Sequence, residues 1–319
     1  MSRAKVFFAA SGNVTDELGR INNSIWSSAV GLWILRREVG AFVKQTGKDS
    51  QEELHERFVA ESGVVSADLR TTCLKWSWDE HRAELAKSLL FQLCALYEGW
   101  LEDVVPRSVP PLKVEAIKKE LQFPTVTNAS GQQKGFRHAV TVVNEQPSRM
   151  LRTEFFPVLA SHRKNSWFFV EELLIAYRYF KECRNAFIHG GGVADGRIVQ
   201  AQRVLRAIAP HRLGLAHALQ LPVVTAGKHI QLALPDVVAL SGIVHRLIIT
   251  VDAALAVSAA SEDELLQRLG DKLSRGRLLP KKDMDRRHRA IKGLVRKAGL
   301  PEPRSVILLE QLMQSRGLA

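Results

Sequence analysis

The chain reads as mainly α: a helical bundle with one short β-hairpin and extra helices at its N- and C-terminal ends. Three observations carry that reading. Apolar residues recur at three- and four-residue spacings through most of the 319 residues, Gly and Pro gather between these stretches, and a hydrophobic content of 46% suffices for a substantial core.

Thr15–Asp16 has the residue types of an N-cap. The helix it opens runs to about Gln45, with Leu18, Ile21, Ile25, Val30, Trp33 and Val39 among its apolar positions. Gly47 to Ser50 opens a second helix through Glu61. A third, Asp79 to Val105, spaces Leu85, Leu89, Leu93, Leu96, Trp100 and Val104 at helical intervals before Pro106 to Pro111 end it. From Phe123 to Phe136, Pro, Asn, Ser and Gly point to a loop. Helix resumes over Ser148 to Leu159 and again at Trp167, and Val170 to Ile188 contains neither Gly nor Pro. Pro222 to Leu232 reads as a hairpin turning at Gly227, followed by an apolar helix from about Pro235 to Ser258.

Ser261–Glu264 resembles a capping box, and Pro280 separates its helix from the next. Between Lys281 and Lys297, Lys281, Lys282, Arg286, Arg287, Arg289, Lys292, Arg296 and Lys297 flank a narrow stripe of Met284, Ile291, Leu294 and Val295. That is an amphipathic helix with a cationic face, either simply solvated or contacting RNA or a partner. A last helix spans Ser305 to Ser315. The expected organisation is an N-terminal helical extension over 1–75, a central helical domain over 76–259 and a basic helical region over 260–319.

The chemistry concentrates at Glu182–Gly192, where Arg184, Asn185 and His189 close a helix and Gly190, Gly191 and Gly192 stop it. At about 100° per residue, with Arg184 as zero, Asn185 lies near 100° and His189 near 140°, and Tyr177, Lys181, Arg178 and Glu182 share that polar arc. Ile175, Ala186, Tyr179, Cys183, Phe187 and Phe180 fill the opposite arc. Glycines of left-handed conformation would leave His189 beside unpaired carbonyls at the negative end of the helix macrodipole, where a cation is favoured. An imidazole can move protons in both directions, and the guanidinium of Arg184 matches phosphate oxygens and suits a five-coordinate phosphorus transition state. Asn185 can orient either. Lying between Arg184 and His189 in angle, it should touch the same phosphate or the same imidazole. The arc is wide for one small group, so a second copy of the motif across a two-fold axis would complete the site.

Arg184–Asn185–x3–His189, with the glycines after it, resembles the Arg-x4-6-His signature of the HEPN superfamily. The earlier helix around Leu93–Glu102, the hairpin and the apolar helix after it follow an order similar to several branches of that family, over about Trp76 to Ser258. The resemblance implies a metal-independent endoribonuclease, in which the RNA 2′-hydroxyl attacks its own phosphate and leaves a 2′,3′-cyclic phosphate. It implies Arg184 and His189 as catalytic residues, with Asn185 at the variable polar position, and a homodimer with the two motifs facing each other. Family members often act as toxins or antiviral effectors, which implies an antitoxin or other controlling partner. Some are non-catalytic binding or assembly modules. Lys181, Arg178, Tyr177, Arg149 and Arg152 are candidate substrate contacts, with Lys134, Arg137 and His138 as further ones.

Charge agrees. Forty-five Lys and Arg against thirty-three Asp and Glu give +12, which suits a polyanion, RNA before a membrane surface. A basic C-terminal region reading DNA is a third possibility. Cys73, Cys94 and Cys183 are odd in number and far apart, so reduced core thiols and a cytoplasmic location are expected. The run after Lys5 is too short for a signal peptide, and Leu247 to Ala260 falls short of a membrane span. Scattered histidines, with no His-Glu-x-x-His and no C-x-x-C, leave no metal site or cofactor to expect, and no Gly-x-Ser-x-Gly occurs. Gly191 to Arg197 imitates a phosphate loop but lacks its Lys-Ser/Thr ending.

Overall fold

A computed structural model describes residues 6–127, 131, 133–273 and 283–318. Pro280, the break before the basic segment, and Lys281 and Lys282, its first two residues, lie outside the described residues. The protein is mainly α. The helices are α1 (Ala9–Thr46), α2 (Gln51–Phe58), α3 (Trp78–Val104), α4 (Val114–Glu120), α5 (Phe136–Val143), α6 (Phe156–Ala160), α7 (Val170–His189), α8 (Gly196–Arg206), α9 (Leu234–Leu255), α10 (Ser261–Leu273), α11 (Met284–Lys297) and α12 (Ile307–Ser315). Short π-helical turns precede α3 and α6.

α9 is the axis of the core, with Val237, Leu240, Ile243, Val244, Leu247, Ile248 and Val251 all buried. α1, α3 and α7 pack along it. α1 and α7 both run antiparallel to it. Phe7 and Phe8 meet Asp252 near its C-terminal end while Asn22 meets Ser241 near its start. At the N-terminal end of α7, Ser166 donates to Thr250; beyond its C-terminal end, Gly192 pairs with Ile230, just before α9 begins.

α1 begins at Ala9 rather than at Thr15. Its N-cap Phe8 makes no side-chain cap. Instead the Asp252 carboxylate, 244 residues away, accepts the backbone N–H groups of Phe7 and Phe8 at 2.7 and 3.1 Å. α2 and α3 start as their sequences dictate, since Ser50 with Glu53 and Ser77 with Glu80 both close capping boxes.

The boundaries expected at 75 and 259 do not separate cores. Leu18, Ile21 and Ile25 of α1 belong to the main core, as do Leu265 and Leu269 of α10, Ile291 and Val295 of α11, and Leu309 and Met313 of α12. A small second core, Val39, Leu54, Val59, Leu69 and Cys73, joins the far half of α1 to α2 and the π-helical turn after it.

No hairpin forms over Pro222 to Leu232. Its backbone is taken by other partners: Gln202 donates to Pro222 O and accepts from Val224 N, while Ala194 and Gly192 pair with Gly227, Lys228 and Ile230. Gly227 does turn the chain in the left-handed region, at φ 77°. The segment expected as a loop holds a two-residue antiparallel pairing instead, Val126–Thr127 with Gln133–Lys134.

Burial pushes the Asp252 carboxyl up to about 6, only partly offset by the hydrogen bonds from Phe7, Ser11 and Phe8. An unfolded Asp titrates near about 3.9, so this group's stabilisation is full below that value and is lost as pH rises through the folded pKa. Asp252→Asn removes the titration. Between pH 7 and pH 4, the difference in urea-unfolding free energy between the two proteins should move in favour of wild type, by up to about 3 kcal/mol.

Candidate functional site

α7 carries the motif, and its polar arc is divided between two environments. The edge holding Tyr177, Lys181 and Arg184 faces α3, whereas Arg178 and His189 are exposed and Asn185 is half-buried. Glu98 of α3 is the hub. Arg184 Nη2 donates to both its oxygens, at 2.5 and 2.6 Å, and Lys181 Nζ lies 2.8 Å from one of them. Burial opposes the Arg184 charge most, but the attraction and hydrogen bonds of Glu98, together with Cys94 and Tyr177, leave the guanidinium pKa raised. The side chain of Arg184 is only 18% exposed, and its Nε is buried with no partner.

Lys181 also donates to Gln122. The Phe123 ring lies 5.3 Å from its ammonium and 5.8 Å from the Arg178 guanidinium. The polar face therefore continues onto the segment after α4. Asn185 makes no side-chain hydrogen bond to any described residue, so none joins it to the imidazole of His189, and of the two contacts expected of it the phosphate is the one left.

The glycines close α7 with a division of labour. Gly190, at φ −119°, stays outside the left-handed region, while Gly191 and Gly192 adopt it at φ 59° and 78°. Gly190 and Gly192 both donate to Ala186 O, at 2.8 and 2.9 Å. A Cβ on Gly192 would meet the Phe187 ring at 3.1 Å and lie 3.7 Å from His229 Nδ1. His229, on the segment expected as a hairpin, thus sits beside the motif exit. The exit leads into α8, which Asp195 caps by accepting from Arg197 and Ile198.

Tyr177 is not a surface contact. It is 0% exposed, its ring meets that of Tyr97 edge-on at 4.7 Å, and its hydroxyl is buried without a partner. Helical angle alone placed it among polar neighbours; the adjacent α3 covers that edge.

Arg149 and Arg152 are exposed, but at the other end of the bundle, where Ser148 N donates to Val257 O just past α9. About 30 Å of helix separates that end from His189, from the 20 residues of α7. Arg137 pairs with Glu171 at 2.9 Å, and His138 with Glu120 at 2.7 Å. The cationic face of α11 is partly neutralised: Arg287 and His288 pair with Glu310, and Lys292 with Glu302. The cysteines are free and buried, and burial pushes the thiols of Cys94 and Cys183 up to about 12.

Compared with protein-family models, with curated proteins and with solved structures, the chain matches none.

Two substitutions probe this geometry. Glu98→Ala leaves Lys181 and Arg184 in the α3–α7 interface without a counter-charge. It should cost about 1–3 kcal/mol in urea unfolding, between the values for exposed and buried pairs. Glu98→Ala with Arg184→Ala should cost less than the sum of the single changes, whereas strict additivity would dismiss the coupling. Tyr177→Phe removes an unpartnered buried hydroxyl, and its unfolding free energy should stay level or rise by up to about 1 kcal/mol.

Proposed function

We propose that the protein is a metal-independent endoribonuclease of HEPN type that uses the end of α7. The observation that carries this reading is the setting of the motif. One helix end presents an exposed imidazole, a half-buried amide without a side-chain partner and a guanidinium held in place by Glu98, with Arg178 and Lys181 leading up to them. Cleavage by internal attack needs a base to take the 2′-hydroxyl proton, an acid to protonate the departing 5′-oxygen and cations to stabilise the phosphorane. His189 fills one proton role, Arg184 offers the charge and Asn185 the orienting amide. The remaining proton role falls to His189 of a second copy, so the working unit is a two-fold dimer with the motifs facing each other. An activity of this kind suits a toxin or antiviral effector held in check by a partner.

A second reading, a non-catalytic module that binds nucleic acid or assembles a complex, draws on one observation: Glu98 already occupies Arg184 Nη2. A phosphate must share or displace that carboxylate. The ion pairs that engage Arg287, His288 and Lys292 leave less support for a DNA-reading C-terminal region.

Purified protein incubated with RNA in EDTA should generate fragments ending in 2′,3′-cyclic phosphate. Arg184→Ala and His189→Ala should each slow the cleavage by at least about 100-fold, the usual scale for a lost acid–base or transition-state contact. Binding without cutting would favour the second reading, and undiminished cutting by both variants would remove the motif from the reaction.

A further inference from the structure

At the end of α7 opposite His189, a cleft of about 500 Å³ opens between the α6–α7 connection, the turn at 210–214 and the C-terminal half of α9. Its walls bring together Trp167, Phe168, Phe169, Arg212, Gly214 and Arg246. The volume lies within the range of small-molecule sites. We propose that this cleft binds a phosphorylated nucleoside, its base stacked on Phe168 and its phosphate held by Arg246.

The aromatic half of the argument is exposure. Phe168 is 84% exposed at the edge of the cleft, flanked by two rings that cations already cover. Arg137 lies 5.3 Å from the Trp167 ring and Arg212 lies 5.4 Å from that of Phe169. Arg212 is tied to Glu172 and Arg137 to Glu171, so both neighbours are spoken for and Phe168 presents the open ring. A flat, exposed aromatic surface is what a base stacks on.

The cationic half is an uncompensated charge. Arg246 donates only to neutral oxygens, Ser166 Oγ at 3.2 Å and Gly214 O at 3.4 Å. Among the described residues no carboxylate pairs with Arg246 or with Lys164. Burial lowers the pKa of both, and for Lys164 the nearby Arg246 and Arg163 add to it. His245, beside them, is pushed down to about 4, by burial first and then by Lys164 and its neighbours, and its Nε2 is buried without a partner. Such a cluster gains when an anion enters.

The backbone is shaped around this arginine. Gly214 sits at φ 69°, and a Cβ there would fall 2.0 Å from Arg246 Nε. Only glycine both turns the chain at that point and leaves room for the guanidinium.

The cleft stands apart from the motif, so its test is independent of RNA cleavage. The 319-residue protein is titrated calorimetrically with AMP and GMP, with adenosine and inorganic phosphate as single-feature controls, and with a 5′-phosphorylated pentadeoxynucleotide, which lacks the 2′-hydroxyl that cleavage at the motif would need. At least one of the nucleotide-bearing probes should bind roughly tenfold more tightly than either control. Phe168→Ala, a change at an exposed ring that leaves the core intact, should weaken that binding by roughly fivefold or more, as loss of a base–aromatic stack does. Arg246→Gln should weaken it at least as far, and His189→Ala should leave it unchanged. Binding by AMP or GMP names a free nucleotide as the source, and binding by the pentadeoxynucleotide alone names a strand end. Absence of binding by every nucleotide-bearing probe, phosphate binding as tight as theirs, or affinity indifferent to Phe168→Ala would each overturn the proposal.

Discussion

Helix α9 is apolar on nearly every side, and a helix of that kind is stable in water only when other elements cover it. By length and composition it could cross a membrane, yet 72% of its most apolar 18-residue stretch is buried inside this fold, where α1, α3 and α7 pack along it. Its buried polar side chains therefore look to the covering elements for partners, and four of them fix docking points, whereas His245 Nε2 is left without a partner. Asp236 takes the N–H groups of Gln220 and Leu221, Ser241 accepts from Asn22, Thr250 accepts from Ser166, and Asp252 receives Phe7 and Phe8. Hydrophobic burial supplies the driving force, and these hydrogen bonds set the register in which it is realised.

The same logic operates between α3 and α7 with a charge in place of a neutral partner. A carboxylate in that interface would be costly alone, and two cations on the neighbouring helix turn the cost into orientation. Arg184 is consequently held in one direction before any substrate arrives. For the phosphate contact proposed above, that would lower the ordering entropy and also set a competition, because the oxygens of Glu98 occupy Arg184 Nη2. His189 is under no such restraint at the exposed helix end.

Local signals in the sequence were sufficient for α2, α3 and the motif helix, whose capping boxes, periodicity and terminal glycines lie within a few residues of the structures they produce. The start of α1 was not legible, because its anchor is a carboxylate near the opposite end of the chain. Pro222 to Leu232 misled for a related reason. Its alternation suits a strand, but the side chain of Gln202 and the exit from α7 take the backbone groups a hairpin would have paired internally. The cap of α8, Asp195, stands inside the glycine-rich run from Gly191 to Arg197, whose spacing imitates a phosphate loop and so masks a helix start. In the site, helical angles grouped Arg184, Lys181 and Tyr177 with His189 on one polar arc, but angle cannot say which edge of such an arc a neighbouring helix will cover. Glu98, on a separate helix, left no signal near the motif.

α7 thus joins two chemically unlike ends. Its middle is packed into the core through Leu173, Leu174, Ala176, Phe180 and Cys183. At its N-terminal end Glu171 and Glu172 clamp Arg137 and Arg212 over aromatic rings. At its C-terminal end the helix stops just after the exposed His189, with Gly192 against the Phe187 ring. An anion bound as proposed between Arg246 and Phe168 would lie beside the connection that leads into α7, whereas a phosphate at Arg184 would compete with its pairing to Glu98 of α3. Both places border one helix seated on α9, so any coupling between them has to appear as a shift of α7 along that seat.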